Sequence, residues 1–192
     1  PEGSKVTVHC GSFAEKLNNI FKHTNKFPPT FAFLDPFGMK GIPFSIVSKL
    51  LRQNKCEALI YFAIGPVKRF LTSNAHERAI NDLFGSDDWK SFRELQGDER
   101  IAALRMLYQR KLETEGAKYV RYFSMRDERN VQIYDLFYAT SSLKGMEVMK
   151  KAMWKVDPGG AFSFSDATDQ RQTLLFAPEP QWSLMISNIV EK

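Results

Sequence analysis

The pattern of hydrophobic and polar positions divides the chain into short apolar runs and longer segments with helical spacing. Short apolar or β-branched runs bounded by turn residues predict strands, whereas apolar positions three or four residues apart predict helices. The predicted strands are 6–9, 30–34, 55–64, 119–125 and 131–140. The predicted helices are 13–21, 44–51, 74–84, 98–115 and 142–154. Strands and helices alternate over the first half of the chain, which is typical of α/β proteins.

The connections between the predicted strands indicate how these strands pair. Helix-sized crossovers separate the strands at 6–9, 30–34 and 55–64, so these three should run parallel with helices on the faces of the sheet. The last two strands are joined only by the polar residues 127–130, a loop short enough for an antiparallel hairpin. We therefore expect a mostly parallel α/β sheet followed by an antiparallel hairpin.

The pattern becomes irregular in the last part of the chain. Residues 1–156 form the predicted α/β domain. Residues 157–192 are either a linker with the start of another module or a flap packed on the main domain. Within this segment, 172–176 predicts a strand and 181–190 predicts a helix.

Two apolar sets outside the strands have more than one interpretation. One row of the helix at 142–154 carries long apolar side chains, which predicts a buried face. These side chains are Leu143, Met146, Met149 and Met153. Trp89 and Phe92 lie in an acidic segment, where stacking on a base and packing in the core are alternatives. Packing is the simpler interpretation of both residues.

The strand at 30–34 ends at a carboxylate, Asp35, which is followed by Pro36, Phe37 and Gly38. A carboxylate directly after a parallel strand lies at the edge where open α/β sheets bind ligands. The segment resembles the Asp-Pro-Pro-Tyr loop of amino-group methyltransferases, and this resemblance implies that the carboxylate and the proline carbonyl accept hydrogen bonds from an amine while the aromatic ring stacks on a base. Glycine then lets the backbone approach closely. The alternative is an ordinary Asp-Pro turn with a capping aspartate.

Charge favours anionic partners. The 192 residues include 27 basic and 22 acidic side chains, which gives a net charge of +5. Such an excess is compatible with nucleic acid as a partner. Lys40, Lys68 and Arg69 are candidates to face phosphates near the edge of the sheet, against the alternative of a solvated surface.

Several classes of site and protein are not expected. The two cysteines and three histidines show no metal-ligand spacing, so we expect no metal and a reduced, cytoplasmic setting. His9 and Cys10 are neighbours on a predicted strand and would point to opposite faces, so they do not form a catalytic pair. No Gly-x-Ser-x-Gly elbow or phosphate-binding loop is present. No apolar run approaches the length of about 20 residues that spans a bilayer, so we expect no membrane partner.

Three segments carry a resemblance to a known family. They are the octapeptide 31–38, Leu83-Phe84-Gly85 together with Trp89, and the segment 134–142. These segments resemble the three-Cys-motif partner (TcmP) family, and the resemblance covers roughly residues 5–176. The loop after Leu34 is also similar to the Asp-Pro-Pro-Tyr loop of amino-group methyltransferases. It lacks the second proline, and its aromatic residue comes one place early.

The resemblance implies a fold, a cofactor and partners. The fold would be Rossmann-like, of the class I methyltransferase type, and the cofactor would be S-adenosylmethionine. The resemblance also implies genomic partnership with a radical-type three-cysteine protein. The resemblance further implies a winged-helix-like C-terminal module, which members of the family often carry and which residues 172–190 could begin.

The chain departs from the family at its N-terminal end. No Gly-x-Gly precedes residue 6, so we expect that the strand, glycine-rich loop and acid that hold the donor lie upstream of Pro1. Gly11, Ser12 and Phe13 are the candidate cofactor-binding residues. Ser12 stands where related enzymes often place an aspartate, and it is a poorer acceptor for the adenine amine. We therefore expect a fragment that binds the donor weakly or not at all.

Two functions follow as hypotheses. The first is an S-adenosylmethionine-dependent methyltransferase that acts on an amine of a nucleic acid base, with Asp35, Pro36, Phe37 and Gly38 as catalytic residues. The alternative is a non-catalytic, methyltransferase-like scaffold that binds nucleic acid or a partner protein.

Overall fold

A computed structural model describes residues 5–23, 27–36 and 42–165, and these residues fold around one sheet. The helices are α1 (Phe13–His23), α2 (Phe44–Leu51), α3 (Ile64–Phe70), α4 (Glu77–Phe84), α5 (Gly97–Thr114) and α6 (Leu143–Val156). The strands are β1 (Thr30–Leu34), β2 (Cys56–Phe62), β3 (Tyr119–Arg126), β4 (Gln132–Thr140) and β5 (Ser163–Ser165). Short 3-10 helices cover Asn74–His76 and Asp88–Phe92.

The five strands form a mixed sheet in the order β1-β2-β4-β3-β5. β1 and β2 are parallel, with Thr30 opposite Cys56 and Leu34 opposite Ile60. β3 and β4 form the predicted antiparallel hairpin, and β4 inserts between β2 and β3. β5 runs parallel to β3. The α/β class and the antiparallel hairpin are confirmed, whereas only two of the three strands that we expected to run parallel, β1 and β2, are present.

One face of the sheet carries the main core. Side chains alternate between the faces of a strand, and Leu34, Ile60, Phe62 and Phe137 all point to this first face. The buried side chains of α2, α3, α4 and α5 pack against them. At its centre Tyr108 stacks on the ring of Phe62 with centroids 4.4 Å apart. Large aromatic rings of this kind hold the helices on the sheet.

The second face is covered unevenly. Helix α6 packs its buried Met146 and Met153 over β3 and β4, against a cluster that includes Phe123 and Tyr138. The prediction of a buried methionine row is confirmed for these two residues. It is wrong for Leu143, which is 65% exposed because the helix begins at this residue, just beyond the end of β4.

The predicted strand at 6–9 is wrong. Residues 5–10 have no regular secondary structure, and Val6 and Val8 are 85% and 88% exposed. A short β-branched run is stable as a strand only when it pairs with a neighbour and packs one face. This segment does neither, so the parallel pair of β1 and β2 lacks the third strand that we expected beside it.

Two boundaries in the middle and at the end of the chain also differ from the predictions. β2 ends at Phe62 and α3 begins at Ile64, so Gly65 and Pro66 lie in a helix rather than after a strand. Proline is compatible with a first helical turn. Strand β5 was not predicted, and it places 163–165 in the same sheet as the rest of the domain. The elements predicted at 172–176 and 181–190 lie outside the described residues.

No helix in the described ranges is long and apolar enough to cross a bilayer.

Candidate functional site at the end of β1

Asp35 lies directly after β1, at the edge of the sheet where the parallel strands β1 and β2 both end. Its side chain is exposed, and it makes no hydrogen bond or ion pair with any other described residue. Pro36 beside it is partly buried. A solvated carboxylate without a protein partner keeps its lone pairs available for N–H donors from a ligand. Phe37, Gly38 and Lys40 lie outside the described residues.

Tyr61 is an aromatic side chain that strand pairing places beside this carboxylate. Leu34 pairs with Ile60, so Asp35 and Tyr61 occupy the next positions along neighbouring strands. Tyr61 also contacts Tyr134 of β4, with ring centroids 4.5 Å apart and planes tilted by 32°. We call Asp35, Pro36, Tyr61 and Tyr134 the rim cluster. It combines an acceptor, a phenol and a paired aromatic surface.

The surroundings keep the Tyr61 hydroxyl protonated. Partial burial is the largest cause that raises its pKa, followed by the nearby Tyr134 and by the negative charge of Asp35. Both effects disfavour a phenolate. Tyr61 is therefore a hydrogen-bond donor next to an acceptor carboxylate.

Sequence reasoning missed Tyr61 and assigned no role to Tyr134. Tyr61 lies between the buried Ile60 and Phe62, and period-two alternation places it on the opposite face of β2. This pattern predicts which face of β2 carries Tyr61, but it does not predict which residue of the neighbouring strand lies beside it. The register that brings Tyr61 beside Asp35 is a property of strand pairing.

The candidate cofactor residues lie in a different setting from the one expected. Gly11 and Ser12 are exposed and precede α1, and Phe13 is its first residue. The Ser12 carbonyl accepts the backbone N–H of Lys16 at 3.0 Å, as in a helix start. No strand leads into this turn, so the strand that would have carried Ser12 to the edge of the sheet is missing. The assignment of these residues to a cofactor stays a prediction.

Lys68 and Arg69 lie in the last turn of α3, the helix that starts two residues after β2. Lys68 is partly exposed and Arg69 is exposed, and neither forms an ion pair with another described residue. Helix α3 packs mainly against β4 and α5. No interaction between described residues links these two cations to Asp35, and their assignment to phosphates stays a prediction.

Other residues with two interpretations are structural. Trp89 is fully buried, and its indole N–H donates to Asn81 Oδ1 at 2.8 Å, so the packing interpretation is confirmed. Phe92 packs against the same core.

Cys56 is buried, and burial, followed by the charge of Glu57, raises the pKa of its thiol to about 11. Such a thiol stays protonated and is a poor nucleophile.

An open polar pocket of about 320 Å³ lies between the start of α2 and the end of α4. It is lined by Pro43, Ser45, Asn81, Asp82, Gly85, Ser86 and Asp87. It contains no residue of the rim cluster. No group of three or more metal-ligating side chains occurs in the described part of the chain.

The rim cluster is thus an exposed carboxylate, a neutral phenol and an aromatic pair at the end of a parallel strand pair. Such a group can accept N–H bonds, donate one hydrogen bond and contact a planar ring. Comparison of the chain with protein-family models, with curated proteins and with solved structures gave no match.

Proposed function

We propose that the protein contributes the amine-binding side of an S-adenosylmethionine-dependent methyltransferase site, and that its substrate is an amine of a nucleic acid base. The observation that carries this proposal is the exposed Asp35 at the carboxyl end of β1, which lies next to Tyr61 and has no hydrogen bond or ion pair with another described residue. The order of a parallel strand pair followed by an antiparallel hairpin is compatible with the second half of a class I methyltransferase fold.

Asp35 and the Pro36 carbonyl orient the amine. Each accepts one N–H bond, which holds the nitrogen and its lone pair in one direction. The sequence assigns shaping of the pocket or stacking on the ring to Phe37 and close approach of the backbone to Gly38, and both residues lie outside the described ranges. Positioning of this kind supplies a large part of the rate in a reaction between two bound molecules.

Tyr61 supports a base as the substrate. Adenine presents an exocyclic amine, which donates, beside a ring nitrogen, which accepts, and cytosine presents a similar pair. The rim cluster offers the complementary pattern, because Asp35 accepts and the protonated Tyr61 donates. An aliphatic amine would use Asp35 but would leave the Tyr61 hydroxyl without this partner.

The described residues do not by themselves form a site for the cofactor. When bound, S-adenosylmethionine supplies an electrophilic methyl group, but Gly11, Ser12 and Phe13 form an exposed turn that no strand joins to the sheet. No hydrogen bond or ion pair between described residues links this turn to Asp35. We therefore expect the chain 1–192 to bind the donor weakly or not at all.

Two measurements on the full-length protein test the proposal. The first is calorimetric titration with sinefungin, a donor analogue. The second is mass-spectrometric detection of methyl groups on adenine and cytosine after incubation with S-adenosylmethionine and a single-stranded oligonucleotide. We expect methylation that falls at least about a hundredfold in Asp35→Asn, because the neutral amide replaces one acceptor oxygen with a donor. Sinefungin binding together with unchanged methylation in Asp35→Asn would refute the assigned role of Asp35.

The missing strand at 6–9 favours a second candidate, a non-catalytic scaffold that binds nucleic acid or a partner protein. This candidate predicts oligonucleotide or partner binding with no sinefungin binding and no methylation. The same pair of measurements therefore separates the two functions.

A further inference from the structure

We propose that the open face of β1 is a stacking platform for single-stranded nucleic acid. The β1 platform consists of Phe31 and Phe33, each of which would stack on one base. The inference rests on the proposed function only for the position of the target amine, at Asp35. Binding of nucleic acid to the platform does not require catalysis.

The first observation is the exposure of two aromatic rings in one row. Phe31 is 56% exposed and Phe33 is 59% exposed. They are two residues apart on a strand, so they share the second face and lie about 6.6 Å apart along β1. Asp35 continues the same row to the end of the strand. Among the described helices, α6 packs over β3 and β4 and leaves this part of the face open.

The second observation is that β1 places its two largest side chains outward. Thr30 and Ala32 face the first side of the sheet together with the buried Leu34, while the phenylalanines face outward. A half-buried strand normally places its large apolar side chains in the core and polar ones outside. An exposed aromatic pair on an edge strand favours aggregation unless something binds it. The arrangement therefore indicates a ligand with flat apolar surfaces.

The third observation is a cation beside the start of β1. Lys55 is exposed at the start of β2, and its carbonyl accepts the N–H of Thr30 at 3.0 Å, so it lies beside the start of β1. With a net charge of +5, the chain favours a polyanion. Aromatic rings together with cations are the general means of binding single strands.

Two carboxylates share this face with the rings. Glu57 of β2 lies opposite Phe31, and it accepts the Tyr138 hydroxyl at 2.7 Å and that of Thr140 at 3.3 Å. Asp35, at the end of the row, is the proposed acceptor of the target amine. Single strands rather than duplexes are expected, because bases in a duplex are stacked on one another and cannot stack on a side chain. Bases stacked on Phe31 and Phe33 would place the following nucleotide at Asp35.

Fluorescence anisotropy with a labelled ten-nucleotide single strand tests the platform at low salt. We expect saturable binding by the full-length protein, weaker binding of the matching duplex, and a loss of roughly tenfold or more in the double variant Phe31→Leu, Phe33→Leu. Leucine keeps the apolar surface and removes the rings. The control is Met106→Ala on α5, a side chain that is 53% exposed and lies outside the platform.

The outcomes distinguish nucleic acid from other occupants. Equal affinity of the leucine variant and the wild type, or no binding by the wild type, would overturn the proposal. Self-association that depends on the two phenylalanines, measured by sedimentation, would assign the face to a second copy instead. A tyrosine pair at the same positions should restore binding, because its rings also stack.

The same assay separates this inference from the proposed function. Oligonucleotide binding that requires the phenylalanines, without methylation, would support the platform and reject the enzyme. Methylation of a free nucleoside, without ring-dependent binding of the oligonucleotide, would support the enzyme and reject the platform.

Discussion

The ion pair between Arg105 of α5 and Asp135 of β4 gives the sharpest prediction about stability. The Asp135 side chain is fully buried, and it accepts two hydrogen bonds from the Arg105 guanidinium, at 2.7 and 2.8 Å. Ser124 and Gln132 donate two more, at 2.9 and 2.6 Å. Asp135 pairs with Phe62, the last residue of β2, so this network fixes the sheet where Tyr61 and Tyr134 meet.

Arg105→Met removes the cation and leaves the carboxylate buried. Breaking a buried pair in this way costs about 3–5 kcal/mol of unfolding free energy, because the remaining charge is desolvated without compensation. For a chain of this length that corresponds to a fall in melting temperature of about 6–20 °C. Urea unfolding followed by circular dichroism should show a lower midpoint at an unchanged slope.

Two matched variants control the interpretation. Arg110→Met on the exposed side of the same helix should change the unfolding free energy by less than about 0.5 kcal/mol. Adding Asp135→Asn to Arg105→Met should recover part of the loss, because an amide oxygen still accepts from Ser124 and Gln132 while the buried charge is gone. If Arg105→Met costs less than about 1 kcal/mol, or the double variant is less stable than the single one, the network does not stabilise the domain as described.

The remaining three predictions concern a closely packed glycine on the second face and a buried thiol in the core. Gly145→Ala should destabilise the domain by about 1–3 kcal/mol, because an added Cβ would meet the Glu57 carboxylate and lie 2.7 Å from the Tyr138 hydroxyl. A melting curve equal to that of the wild type would contradict this prediction and would show that α6 can move away from the sheet without loss of stability. Cys56 should resist a thiol reagent in the native state and react in denaturant, whereas the exposed Cys10 should react in both. The folded state raises the Cys56 pKa from 9.0 to about 11, so its contribution to stability should be present below pH 9 and lost as the pH rises through 11. A Cys56→Ala protein with the same pH dependence as the wild type would contradict this.

Local pattern determined much of the architecture. The bounds of β1 and α2 agree with the prediction residue by residue, because a short apolar run and a segment of helical spacing are each enclosed by proline, glycine or polar turn residues. A continuous apolar run predicts a buried strand, whereas Phe31 and Phe33 of β1 are exposed. The hairpin of β3 and β4 was also predictable, since a short polar loop leaves its strands only an antiparallel pairing. The position of Asp35 at the end of a parallel strand followed from the same kind of reasoning.

Each element that closes its own turns could therefore be predicted from the residues alone, together with the acid at the end of β1. The absence of a strand at 6–9, the strand at 163–165 and the position of Tyr61 beside Asp35 emerged only from the folded chain. These features depend on pairing, because a strand gains its stability from a partner that is distant along the chain. The register of that pairing, rather than any local propensity, selects which side chains meet at the rim cluster and which rings of β1 remain open.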